Sequence, residues 1–124
     1  VTADPAFMSA AELVRRYRRK DLSPVEAADA VLARVDRLDP IHRAYQHRDP
    51  ETTRAMARAS EARWARGEPA GLVDGVPTSI KDQWWVRGWP RRVGSLTTDP
   101  APVAEDSPTS QRLREHGAVF IGKT

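Results

Sequence analysis

The sequence predicts an α/β layer arrangement, and three observations carry that prediction. Helical patterns with start and stop signals fill residues 1–67; the character changes to loop and strand after the turn-rich "GEPAGLVDG"; and "AVFIGK" at 118–123 is a continuous apolar run of the kind buried on both faces of a parallel sheet. Strands at 76–82 and 118–123 are therefore expected in one sheet. With 124 residues, 40% of them hydrophobic, the chain has room for one domain or part of one. The last strand needs neighbours on both sides, and two or three strands leave most of a sheet's edges unpaired. The expectation is an amino-terminal fragment of a single larger domain, with 1–67 as its helical region and 68–124 supplying the first core strands, a loop and one helix. Taken alone, it is expected to be poorly folded or oligomeric.

"MSAAELVRRYRRKDLS" opens with Ser9 and Glu12 at capping-box spacing and sets Leu13 and Tyr17 four apart, predicting a first helix over about 9–20. "SPVEAADAVLARVDRLDP" repeats the device with Ser23, Pro24 and Glu26. Its apolar stripe of Val25, Ala28, Leu32, Val35 and Leu38 predicts a helix over about 24–38 that stops before Pro40. "AYQH" at 44–47 is short enough for a strand. "DPETTRAMARASEARWARG" begins at Asp49 and Pro50 and ends at Gly67, a third helix with Ala55, Ala59 and Ala62 expected on its inward side. Residues 83–106 form a long irregular segment containing Gly88, Pro90, Gly94, Pro100 and Pro102, and loops of that length are usually functional. "SPTSQRLREHG" predicts a fourth helix, capped by Ser107 with Pro108 next and ended by Gly117.

Composition removes several classes of function. There are no cysteines, which excludes disulfide scaffolds and cysteine zinc sites, and the three histidines, His42, His47 and His116, are too scattered for a metal centre; no cofactor is expected. No apolar run approaches the roughly 20 residues of a membrane span, and "VTADPAFMSA" lacks the pattern of a signal peptide. A cytoplasmic protein without a membrane partner is expected. The net charge is only +3, and 17 of the 20 basic residues are arginine, leaving Lys20, Lys81 and Lys123. A sequence that uses arginine wherever it needs a positive charge invites a chemical reading of a lysine set in an apolar stretch.

"GVPTSIKDQWW" at 75–85 contains such a lysine, Lys81, at the end of a predicted strand with Val76 and Ile80. It either snorkels to water or serves as a group that loses its proton. Trp84, Trp85 and Trp89 follow closely, and two readings of them stand: core packing, or the aromatic wall of a substrate pocket. "GAVFIGKT" at 117–124 matches GxxxxGK[ST] by letter, but Ala118–Ile121 is a strand core that cannot wrap a phosphate, so no nucleotide site is expected. In "RRYRRK", Arg15, Arg18 and Arg19 fall opposite Leu13 and Tyr17, the usual arrangement of a solvated face, which argues against a nucleic-acid partner.

Taken in order and spacing, "GLVDGVPTSIKD", "RGWPRRVGS" and "EDSPTSQRLREHGAVFIGKT" resemble the amino-terminal part of the amidase signature family, and the helices before them, including "SPVEAADAVLARVDRLDP", are similar too. The resemblance implies a mixed β-sheet core wrapped by helices and hydrolysis of amide bonds by a Ser–Ser–Lys triad, with the triad lysine at Lys81. In the family's mechanism the neutral lysine takes a proton from a bridging serine, which takes one from the nucleophilic serine; an acyl-enzyme forms and water releases the acid. Burial at Lys81 is expected to supply the neutral form, since desolvation lowers a lysine's pKa from about 10.4. Both serines lie, in the family, beyond the strand corresponding to "VFIGKT"; Ser79, Ser95, Ser107 and Ser110 match no nucleophile motif, so the chain alone is expected to be inactive. Arg91 in "GWPRR" stands where the family commonly has threonine. The implied partners are a small-molecule amide, the remainder of the domain and a possible second copy. Two alternatives remain: the amidase subunit of a tRNA-dependent amidotransferase, or a non-catalytic binding module.

Overall fold

In the computed structural model, which describes residues 3–124, three of the four α-helices begin behind a side chain that caps a first-turn amide. A short 3₁₀ turn at Pro5–Phe7 precedes α1 (Ala10–Arg19), which starts behind Ser9, whose hydroxyl accepts from the Glu12 N–H. α2 (Pro24–His42) starts behind Ser23 with the reciprocal Ser23–Glu26 capping box complete. α3 (Pro50–Arg66) starts behind Asp49, whose carboxylate accepts from the Thr52 N–H. α4 (Pro108–Glu115) starts at Ser107, whose hydroxyl reaches the Trp85 carbonyl and Ser110 Oγ rather than a helix amide. Each of α2, α3 and α4 places proline at its first position, where the missing N–H costs nothing.

α2 runs through Pro40 to His42, past the stop expected before that proline. Pro40 lies in the last turn, where it removes one amide donor, and the helix then ends at Arg43, which adopts a left-handed conformation.

The sheet has three strands, β1 (His47–Arg48), β2 (Pro77–Ile80) and β3 (Val119–Lys123), in the order β1–β3–β2. β3 is parallel to β2 and antiparallel to β1, so the sheet is mixed. The neighbours that the last strand needs on both sides lie within the chain: β3 is paired with β1 and with β2, and every one of its residues is buried. β1 falls at 47–48 rather than 44–47, and β2 is shorter than the expected 76–82. Ladder bonds nevertheless continue past its end, from Thr124 N–H to the Ile80 carbonyl and from Asp82 N–H to the Thr124 carbonyl.

Helices α2 and α3 pack on β3 through Ala28, Ala57 and Val119, while Leu13, Tyr17, Ala27 and Trp64 join α1 to both. The inner face of α3 carries Thr53, Ala57, Ser60 and Trp64; Ala55, Ala59 and Ala62 are exposed, which reverses the face expected from sequence. The inward polar residues are satisfied: Thr53 Oγ1 donates to the Phe120 carbonyl at 2.7 Å and Ser60 Oγ donates to Asp74 at 2.6 Å. On α1, Leu13 and Tyr17 are buried and Arg15, Arg18 and Arg19 are exposed, as the helical pattern requires. No helix among the described residues is long and apolar enough to cross a membrane.

Candidate active site

The carboxyl end of β2 alternates by the two-residue period of a strand: Ile80 and Asp82 are buried, Ser79 and Lys81 are exposed. Lys81 is therefore not the buried lysine that the sequence led us to expect. The residues on either side of it, Ile80 and Asp82, face the core and turn it outward. Ser79 stands on the same side, and its hydroxyl is 2.7 Å from that of Tyr45.

The buried lysine is Lys123, fully inaccessible at the end of β3. Its Nζ stands 3.2 Å from Asp82 Oδ1 and 3.3 Å from the Pro90 carbonyl, to which it donates. Burial pushes the Lys123 pKa down, against the opposing pull of the Asp82 carboxylate. The Asp82 carboxylate also accepts from the backbone N–H groups of Arg92 (3.2 Å) and Gly94 (3.4 Å), so one side chain joins β2, β3 and the loop. Sequence reasoning missed this pair. The available signal was a lysine closing an unbroken apolar strand, absorbed into a phosphate-loop match that the strand geometry of Val119–Lys123 does not support. Gly122 has its own reason to be glycine: a Cβ there would stand 2.6 Å from the His47 carbonyl oxygen and 2.7 Å from the Tyr45 ring.

The loop that follows β2 is irregular but anchored. Gly88 N–H bonds to the Val103 carbonyl and Val103 N–H to the Trp89 carbonyl, an isolated bridge joins Pro90 and Pro102, and Asp106 holds both the Arg87 N–H and the Arg114 guanidinium. Trp89 is 3% exposed, packed edge-on against Phe120 and beside His47, so it serves as core. Trp84 and Trp85 are 39% and 43% exposed. Trp85 lines an open groove with Arg91, Thr98 and Pro102, and with Trp84 it lines a neighbouring depression. The core-packing reading thus describes Trp89, and the pocket reading stays open for Trp84 and Trp85. Among the described residues no cluster of three or more histidine, aspartate or glutamate side chains is arranged to hold a metal ion.

The chain is similar to known proteins in sequence and fold. Residues 26–124 match the family model described as Amidase. The chain is 37% identical over 113 residues to a Glutamyl-tRNA(Gln) amidotransferase subunit of Synechococcus elongatus, covering 91% of this chain and 24% of that protein. It is 37% identical over 112 residues to the putative amidase AmiD of Mycobacterium bovis, covering 90% and 24%. The native peptide amidase of Stenotrophomonas maltophilia superposes with a TM-score of 0.88 at 28% identity, over 96% of this chain and 25% of the other. The chain spans about a quarter of the length of the curated relatives it matches.

Proposed function

Because the chain belongs to the amidase signature family, we propose that it forms the amino-terminal part of an amidohydrolase that cleaves carboxylic amides, with Lys81 as the base of a Ser–Ser–Lys triad. The observation that carries this reading is the family match over 26–124, a span that contains Lys81 in "SIKD" at the carboxyl end of β2. There the lysine is exposed and turned away from the chain's own core, which supports a role towards groups from outside this segment. The serines are proposed to come from a later part of the domain, since no serine of this segment has the motif of the nucleophile.

The exposure of Lys81 sets a condition on the mechanism. A lysine takes a proton only when neutral, and that form is favoured when water is removed from around the amine. The desolvation is proposed to arise when the remainder of the domain covers the outer side of β2. The neutral amine then accepts the bridging serine's proton as that serine takes the nucleophile's proton. The nucleophile's oxygen attacks the amide carbon, the proton passes to the departing nitrogen, and water repeats the sequence on the acyl-enzyme. No cofactor is required. On this reading 1–67 is the helical region of the domain and 68–124 the start of its core.

A second reading has an observation of its own, the equal identity to one of the subunits of an amidotransferase. In that role the same hydrolysis would feed ammonia to a partner, and the protein would need other subunits to act.

The test is hydrolysis of simple aliphatic and aromatic amides by the complete protein, with ammonia release as readout and a serine-directed phosphonate as label. Amide turnover blocked by the phosphonate is expected from the complete protein, and neither turnover nor labelling from residues 1–124 alone. Absence of both in the complete, folded protein would overturn the hydrolase reading. Turnover only with added subunits would favour the second.

A further inference from the structure

We propose that the buried Asp82–Lys123 pair is a positioning device for Lys81, locking the end of β2 to β3 and to the 90–94 loop beside the base. The inference rests on the reading of Lys81 as the base. The side chains of the pair are 6% and 0% exposed. Removing two charges from water is a costly way to gain stability, and well-packed apolar residues in their place are often neutral or better. What such a pair adds is geometry. Three parts of the chain meet at one carboxylate: Lys123 Nζ from β3, the Arg92 and Gly94 amides from the loop, and Asp82 itself, two residues past β2. Lys123 carries the lock one step further by donating to the Pro90 carbonyl.

The lock is built around residue 81. Thr124 N–H bonds to the Ile80 carbonyl at 2.9 Å and Asp82 N–H to the Thr124 carbonyl at 2.7 Å, so the backbone is pinned on both sides of Lys81. Because the Lys81 side chain is exposed, the backbone beneath it sets where the amine can reach. Lysine suits position 123, since its compact ammonium on a straight stem reaches a carboxylate and a carbonyl inside a packed strand end, where a planar guanidinium needs more room and more acceptors. This also gives the "GKT" lysine a role that involves no phosphate.

The experiment uses the complete amidase that contains this segment, with kcat, KM and Tm measured for the parent, Lys123→Met, the double variant Asp82→Asn with Lys123→Met, and Lys81→Met. Lys123→Met leaves an unpaired buried carboxylate and is expected to lower Tm and kcat together. The double variant has no charge in the interior and is expected to regain most of the lost Tm. Its kcat should stay about 10- to 100-fold below the parent with KM within about twofold, the loss that a displacement of about 1 Å produces. If kcat returns with Tm to within about threefold of the parent, the pair is structural only and the proposal is wrong. Should the double variant not fold, Asp82→Glu keeps both charges and lengthens the carboxylate arm by one methylene; a similar kcat loss at unchanged KM is expected, and kcat within about threefold of the parent would overturn the proposal. Lys81→Met separates the two ideas. If it retains activity, Lys81 is not the base and both readings fall, whereas loss in Lys81→Met with a double variant that recovers fully leaves Lys81 standing and removes only the lock.

Discussion

Asp74 ties α3 to the turn before β2 through four donors: Ser60 Oγ, both Nε and a terminal nitrogen of Arg63, and the Ala70 N–H, at 2.6 to 2.8 Å. Its side chain is fully buried, and the backbone packs so closely that a Cβ at Gly117, where φ is +80°, would stand 2.5 Å from its carboxylate. Burial raises the Asp74 pKa, but the Arg63, Ser60 and Ala70 bonds outweigh it and hold the carboxyl below the usual carboxylate range. A depressed folded pKa contributes stability that is present above the unfolded value, near 3.9, and lost as pH falls through the folded value. Asp74→Asn is therefore expected to cost about 3 kcal/mol at pH 7, and the gap to the parent should narrow as the pH falls below about 4. Melts of parent and variant at pH 7 and pH 3 check this; a gap independent of pH would show that the charge is not the contributor. At this scale the sequence was a partial guide. It singled out Lys81 as the unusual lysine, yet burial belongs to Lys123, because which side of a strand faces the core depends on its pairing and not on the apolar character of its neighbours.

Helix starts were legible because a cap is a local event: Ser9, Ser23 and Asp49 act within three residues of themselves. Helix faces were less so. The choice of Ala55, Ala59 and Ala62 as the inner side of α3 followed apolar character, whereas the observed side carries Thr53 and Ser60, whose hydrogen-bond partners lie 67 and 14 residues away in sequence. No local pattern announces such partners. The loop after β2 was legible as an irregular segment, but its cross-links among Trp89, Val103 and Asp106 depend on the same distant pairing. Its tryptophans separate by experiment. Trp89→Ala should cost about 3–5 kcal/mol, as loss of a fully packed aromatic does. Trp85→Ala, at a half-exposed position, is expected to shift the preference between aromatic and aliphatic amides by more than about threefold with less than about 1 kcal/mol lost. Selectivity assays with Tm measurements on both variants decide; unchanged selectivity in Trp85→Ala and Trp84→Ala would remove the pocket reading.

Across the whole molecule, the mixed sheet sets the ends of β2 and β3 side by side, and with them Lys81, Asp82 and Lys123. Three motifs spread over residues 71–124 thus meet past the carboxyl ends of β2 and β3, where Asp82 pairs with Lys123 and accepts from the Arg92 and Gly94 amides. The proposed triad could be read only as far as its proposed lysine. A chain spanning about a quarter of its relatives leaves the serines to proposal. The central claim is that Lys81 accepts a proton, and Lys81→Arg in the complete enzyme tests it most directly. Arginine keeps the charge and much of the reach, but with a pKa above about 12 it holds no neutral fraction near pH 7. Measured as kcat on a simple amide, with circular dichroism to verify the fold, Lys81→Arg is expected to lose at least the roughly 10²–10⁴-fold that a general base supplies, more if the triad acts as a unit, while KM changes little. A folded Lys81→Arg enzyme that keeps more than about a tenth of the parent kcat would contradict the assignment.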